Sequence, residues 1–235
     1  MSHKPLALDA YEAIAERFAV LAASNAYNAC YERPATISLL PDVCGKDVLD
    51  AGCGPGIYAE CLLNSGANVT AIDASPAMLK QARRRLGDRV SFRQANLEQP
   101  LEFFAAELFD VIILALVLDS VRNWYSVFRE LFRLMKPGGV LVFSVGHPLA
   151  EFELSQTRNY FDVELIDGEW PTYGLTVPSY RRSFTEVFAP PRAAGFIIDR
   201  ILEPLPTEDC RAHFPESFRK LSTRPYFLHA RLIKP

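Results

Sequence analysis

The chain has 235 residues, 49% apolar and 23% charged, the profile of an ordinary globular protein with one large domain or two small ones. A net charge of −3 and a pI near 5.9 give no electrostatic case for a nucleic-acid or anionic-membrane partner, and no apolar run approaches the roughly 20 residues that span a bilayer. The five cysteines form no C-x-x-C pair, which argues against a disulfide framework and against a metal site, and the stretch 1–8 lacks a signal-peptide core. A cytoplasmic monomer or homodimer is the simplest expectation.

Tyr11, Ile14, Phe18 and Leu21 recur at helical spacing and predict a first helix. A second is predicted over residues 27–40, stopping at Pro41. The run Val48-Leu49-Asp50-Ala51-Gly52-Cys53-Gly54-Pro55-Gly56 follows: an apolar strand, an acid, three alternating glycines, then a helical segment over 57–63. From there strands and helices alternate. Residues 69–73 predict a strand, and 76–86 a helix capped by Ser75 with Pro76 at its first position. Strands are predicted at 90–94 and 109–116, the latter apolar enough to be buried on both faces. Trp124, Phe128, Leu131 and Met135 mark a helix ended by Lys136-Pro137-Gly138-Gly139, and 140–145 is a fifth strand. Residues 147–180 read as irregular and rich in aromatics; a helix near 184–194 and strands near 196–202 and 226–233 close the chain. This order predicts an α/β fold: a Rossmann-like, doubly wound, seven-stranded, mostly parallel sheet with one antiparallel strand near the edge, helices on both faces and an N-terminal helical cap. The division is a cap over 1–45, a core over 46–146, an insert over 147–183, and a C-terminal helix with strands over 184–235, all in one domain.

A strand that ends in a Gly-rich turn and feeds a helix brings backbone close to a nucleotide. Here Ile57 stands where a dinucleotide fingerprint needs its third glycine. Asp50 would repel a phosphate and attract a cation, so a cationic nucleoside fits better than a dinucleotide. Asp73, at the end of the next strand, is placed to accept from ribose hydroxyls. Asp50, Asp73, Asn96 and His147 all fall at strand ends and are expected to line one crevice.

The pairing of this loop with Asp73 resembles the class I S-adenosylmethionine-dependent methyltransferases. Over about residues 26–145 the chain resembles the small-molecule group typified by the ubiquinone/menaquinone-biosynthesis C-methyltransferases. Further likeness lies in Ala95-Asn96-Leu97, in Phe109-Asp110-Val111-Ile112 and in Leu134-Met135-Lys136-Pro137-Gly138-Gly139. The run Phe143-Ser144-Val145-Gly146-His147-Pro148 is similar to an S-V-E-H-P stretch of one bacterial subgroup, with Gly146 in place of the acid.

The resemblance implies that S-adenosylmethionine is bound by Asp50, Gly52, Cys53, Gly54, Gly56, Asp73, Ala74, Met78, Asn96 and Leu97. Asn96 stands where the family usually has Asp facing the adenine amino group. It implies in-line methyl transfer to a small-molecule acceptor, without a metal, and places Tyr31 and Asp119 as candidate acceptor contacts. Asp119 stands where relatives often carry His, and a capping role for the following helix is the competing reading. His147 suits a general base by position and by its near-neutral titration, and suits a structural turn equally. Two other readings of the chain are open: a donor-binding protein without turnover, and a nicotinamide-dependent oxidoreductase.

Overall fold

The computed structural model describes residues 4–170 and 172–235; the first three residues of the 1–8 stretch lie outside the described residues. After helix α1 (Leu8–Ser24), a π-turn (Asn28–Glu32) runs into α2 (Arg33–Ser38). Next come β1 (Asp47–Ala51), α3 (Ile57–Asn64), β2 (Asn68–Asp73), α4 (Pro76–Leu86), β3 (Ser91–Gln94) and β4 (Phe109–Ala115). They are followed by α5 (Trp124–Leu134), β5 (Met135–Gly146), α6 (Pro148–Phe152), β6 (Glu164–Trp170) and β7 (Leu175–Arg181). The chain closes with α7 (Phe184–Ala194), β8 (Ile197–Leu202), α8 (Glu208–His213), α9 (Pro215–Leu221) and β9 (Phe227–Ile233).

Seven strands form one sheet in the order β3-β2-β1-β4-β5-β9-β8. The pairings from β3 across to β5 are parallel, and β9 runs antiparallel between β5 and β8. That is the predicted architecture. Alternation along the strands assigns the two faces. Val48, Val69, Ala71, Val111 and Ile113 bury against Ala59 and Leu62 of α3 and Leu79 and Leu86 of α4. Leu49, Ile72, Ile112, Leu114, Leu141 and Phe143 bury on the other face against Val127, Phe128 and Leu131 of α5 and Val187 of α7. Strands buried on both faces need such continuous apolar runs.

Three local features depart from the expectation. The second predicted helix loosens into a π-turn just before Pro34, which has no N–H to return to the carbonyl of Cys30. Thr207 takes up that carbonyl through its backbone N–H at 2.9 Å and its hydroxyl at 3.1 Å. The 147–180 segment is not irregular: it contains α6 and the antiparallel β6–β7 hairpin. The fifth strand begins at Met135 rather than 140, because the Lys-Pro-Gly-Gly stretch stays in the sheet as a bulge between the Phe109–Met135 and Val111–Val140 pairs.

One buried carboxylate clamps the N-terminal cap to the sheet. Glu32, 1% exposed, accepts from the hydroxyls of Thr36 (2.8 Å), Ser144 (2.6 Å) and Tyr58 (2.6 Å). His229 Nε2 donates to the Glu32 backbone carbonyl at 3.2 Å. Glu32→Ala strands three buried hydroxyls at once and is expected to lower the urea unfolding free energy by about 2–4 kcal/mol. Glu32→Gln, which still accepts, should cost less than half of that.

Candidate active site

The Gly-rich loop begins where β1 ends, and β2 holds it in place. Gly52 and Cys53 both donate to the Ile72 carbonyl, at 2.7 and 2.9 Å, and Gly54 N–H donates to Asp73 Oδ2 at 2.8 Å. Gly56 N–H returns to the Cys53 carbonyl. These four N–H groups are spent inside the protein, so the loop offers no ring of donors to a pyrophosphate. The glycines serve different ends. A Cβ on Gly52 would strike the Val117 side chain, and one on Gly56 would press on Ala82 and Leu86 of α4, so both are set by packing. A Cβ on Gly54 would point into open space beside the loop, so there the left-handed backbone, at φ 51°, rather than packing calls for glycine.

Asp50 is 2% exposed, and its Oδ2 has no hydrogen-bond partner. Burial first, and the nearby Asp73 charge second, push its carboxyl up to about 7. An unpartnered buried carboxylate is costly, and a cation at Oδ2 would relieve it. Asp73 accepts from Gly54 N–H and, through Oδ1, from Ser75 N–H at 2.8 Å. Burial raises it above the ordinary carboxylate range, against the pull of those two donors. Ser75 caps α4 by accepting from Met78 N–H at 3.0 Å, and its hydroxyl donates to Glu12 of α1. The Met78 side chain is buried, and Ala74 follows Asp73 directly. Asn96 Oδ1 accepts from Glu98 N–H at 3.0 Å, shaping the turn after β3, and Leu97 packs on the apolar core under it.

A second group of side chains lies at the ends of β4 and β5. Leu116, just past β4, is held at φ 53°, a left-handed backbone that costs a leucine of order 1–3 kcal/mol. Its N–H donates to both the carbonyl and the hydroxyl of Ser144, which fix it there. Three residues on, Asp119 Oδ2 accepts from Gly146 N–H at 3.0 Å, and burial raises its carboxyl to about 6. Glu151 of α6 has its Oε1 where a Cβ on Gly146 would stand. Arg182, 4% exposed, donates to the carbonyls of Val121, Arg122 and Tyr180 and lies 4.4 Å from the Trp124 ring centre. Burial lowers its pKa to about 10, against the pull of Asp119 and Glu151.

Helix α1 spans both groups. Tyr11 feels Asp119 and Asp73 together, and burial raises its phenol far above the usual range. Its ring meets Trp170 edge-on at 6.0 Å, while Phe18 stacks on Trp170 at 6.2 Å and touches Tyr173 at 5.7 Å. The aromatics of the insert therefore hold the β6–β7 hairpin against α1. Sequence reading placed Tyr11 on a helix face and passed over Glu12, Glu151 and Arg182. The available signals were a phenol hydroxyl on an otherwise apolar stripe, and a glutamate one turn after His147-Pro148.

Two candidates sit elsewhere. His147 has both ring nitrogens occupied: Nδ1 accepts from Leu149 N–H at 3.2 Å, capping α6, and Nε2 lies 2.7 Å from Glu203 Oε1. Its ring packs edge-on to Phe184 at 5.3 Å. In this geometry His147 caps α6 and spends both ring nitrogens on partners within the protein. Tyr31 is buried in a satellite cluster with Cys30, Cys210 and Leu221, and its hydroxyl accepts from Tyr226 N–H at 3.2 Å. It braces the cap against the β9 entrance rather than reaching the crevice.

Among the described residues, no group of three or more His, Cys, Asp or Glu is arranged to hold a metal, and no helix is long and apolar enough to cross a membrane. The five cysteines are free.

Residues 49–143 match a family model described as a methyltransferase domain. The ubiquinone biosynthesis O-methyltransferase of Pseudomonas aeruginosa is 43% identical over 103 residues, covering 43% of this chain and 44% of that protein. The matched segment thus spans less than half of such curated relatives. These are O-methyltransferases, where the resemblance in sequence pointed to their C-methylating counterparts. A structure from Listeria monocytogenes, whose assignment as an S-adenosylmethionine-dependent methyltransferase is provisional, superposes with a TM-score of 0.75 at 25% identity, covering 87% of this chain and 96% of that one. An S-adenosylmethionine-dependent methyltransferase from Mesorhizobium loti gives 0.70 at 24% identity, covering 86% and 97%. The fold is that of these solved S-adenosylmethionine-dependent methyltransferase structures, and residues 49–143 carry the methyltransferase-domain match.

Two outcomes follow for these side chains. The folded Asp50 carboxyl, at about 7, holds its proton more tightly than the unfolded one, so its stabilising contribution is full below about pH 4 and lost as pH rises through 7. Asp50→Asn should therefore raise the melting temperature of the ligand-free protein by several degrees at pH 8 and leave it unchanged at pH 4, by calorimetry. His147→Ala should lower the melting temperature by several degrees through loss of the α6 cap, while affinity for S-adenosylhomocysteine stays within twofold.

Proposed function

We propose that this protein transfers the methyl group of S-adenosylmethionine to a hydroxyl of a small molecule. The unpartnered, buried Asp50 Oδ2, at the end of the strand that leads into the Gly-rich loop, carries the reading, because an ammonium-bearing donor relieves that buried charge and a pyrophosphate aggravates it. The printed name of the curated relatives, O-methyltransferase, supports oxygen as the receiving atom. The nicotinamide reading is left behind on the same electrostatic ground.

Bound here, the donor supplies a methyl group already activated by its sulfonium, so the protein needs no nucleophile of its own. Asp50 takes the ammonium, Asp73 the ribose hydroxyls, Asn96 the adenine amino group, and Leu97 with Met78 the apolar surroundings of the base. Gly52, Cys53, Gly54, Gly56 and Ala74 supply the backbone that lets the donor lie close. The chain's main contribution to rate is then to align donor and acceptor and to exclude water, the latter through α1 with Tyr11 and the insert's aromatics. Asp119 faces the acceptor side. The insert over 147–183, which lies outside the segment matched at 49–143, is the part of the chain that shapes the acceptor side. The free cysteines fit a cytoplasmic setting.

Incubation with methyl-labelled S-adenosylmethionine and a bacterial small-molecule extract should move label into an oxygen-methylated product. Binding of S-adenosylhomocysteine with no labelled product would reduce the reading to a donor-binding protein. Asp73→Ala removes a charged acceptor of the ribose hydroxyls and should weaken S-adenosylhomocysteine by roughly tenfold to several hundredfold, since hydrogen bonds to charged groups are worth about 1.5–3 kcal/mol. Calorimetric affinity unchanged in the folded variant would remove Asp73 from the site.

A further inference from the structure

Glu151 is a half-buried carboxylate at the ends of β4 and β5 whose oxygens receive no hydrogen bond and no ion pair from the described residues. Other buried acids differ. Glu32 accepts from three hydroxyls, Asp119 from the Gly146 backbone, and Glu164 from Ser155, Gln156, Thr157 and Arg181. The placement of Glu151 depends on a missing side chain, because any Cβ at position 146 would fall on its Oε1. Gly146 ends β5 and hands its N–H to Asp119, so the two acids approach this one residue from α6 and from the turn after β4. Both strand ends belong to the crevice that opens at the donor loop, where Val117 packs on Gly52.

We propose that Glu151, reaching into the space left by glycine at position 146, is the base that takes the acceptor's proton, with Asp119 as its electrostatic partner. The inference rests on the methyl-transfer reading above and adds to it the residue that handles the proton. As the acceptor oxygen bonds to the methyl carbon, the carbon–sulfur bond breaks and its electron pair stays on sulfur, which becomes a thioether. The hydroxyl proton passes to Glu151, which ends neutral and later releases it to water.

The charged groups facing Glu151 are Asp119, Arg182 and Arg181, with Tyr11 beyond Asp119. Burial and the Asp119 charge push the Glu151 carboxyl well above the ordinary range, and the two arginines moderate this. Arg182 spends its hydrogen bonds on three carbonyls and makes no ion pair with either acid, so it tempers their charge without silencing it. Arg181 is likewise committed, to Glu164 and to the carbonyls of Asn159 and Tyr160. A carboxylate raised in this way is a stronger base than an exposed one. A merely structural side chain here would gain nothing from its charge, since the neutral amide has nearly the same shape.

The test uses the full chain and the variants Glu151→Gln, Glu151→Asp and Gly146→Ala. With carboxyl-13C-labelled glutamate and bound S-adenosylhomocysteine, wild type should show, besides the raised Glu32, a glutamate titrating well above the ordinary range that is absent in Glu151→Gln. A Glu151 signal titrating with the exposed glutamates overturns the proposal without any acceptor. With the extract and methyl-labelled donor, Glu151→Gln should lower the transfer rate by about two to four orders of magnitude and flatten its rise with pH, while S-adenosylhomocysteine affinity stays within twofold. Glu151→Asp should restore part of the rate. Gly146→Ala, which keeps the carboxylate but displaces it, should also slow transfer. Full rate in Glu151→Gln overturns the assignment and leaves the methyltransferase reading intact. No transfer by wild type that still binds S-adenosylhomocysteine overturns both, even with a high-titrating carboxyl.

Discussion

The carboxylate of Asp73 is the tie on which the crevice depends. One oxygen holds Gly54 N–H and the other holds Ser75 N–H, so a single side chain fixes the Gly-rich loop of one strand and the start of α4 after the next. Ser75 then caps α4 and reaches Glu12, which brings α1 over the opening. Loop, helix and cap are thus positioned in series from one buried acid. A group so engaged is not free to be only a ligand contact. Whatever it gives to a bound ribose it gives from lone pairs left over after its structural bonds.

Negative charge is concentrated around this tie. Asp50, Asp73, Asp119 and Glu151 all have carboxyls pushed upward by burial, and no lysine or arginine is ion-paired with any of them. The acids that serve stability are treated otherwise. Asp47 and Asp110, at the opposite end of the sheet, share the Lys136 ammonium at 2.9 Å. The molecule therefore keeps well-paired charge at one end of its strands and poorly paired charge at the other. This is the pattern of a site that gives up stability for function.

Much of the fold was legible because its signals are local. The glycine loop, the capped start of α4 and the doubly buried strands each have a sequence pattern of their own. The β6–β7 hairpin escaped because its inward residues are not simply apolar: Glu164, Ile166, Val177 and Arg181 face in while Leu165 is exposed, so alternation gives no hydrophobic stripe. The candidate site was legible as a set of strand ends but not as a set of side-chain directions. His147 and Tyr31 are hydrogen-bonded to Glu203 and Tyr226, which come from the far end of the chain. The contact of Glu151 with Gly146 and that of Tyr11 with Trp170 are likewise set by tertiary packing that no short-range pattern encodes.

The hairpin separates what holds it together from what it presents. Its register is pinned at the open end, where Glu164 pairs with Arg181 and gathers the Ser155–Thr157 turn. Trp170, at the tip, carries the aromatic contact with α1. Anchoring by a polar knot means that the tip need not supply a core of its own. Residues there can be exchanged over evolutionary time without unfitting the hairpin from its base. A fold anchored in this way can change the positions at the end of one loop, and so the surface it presents there, while its base stays in register.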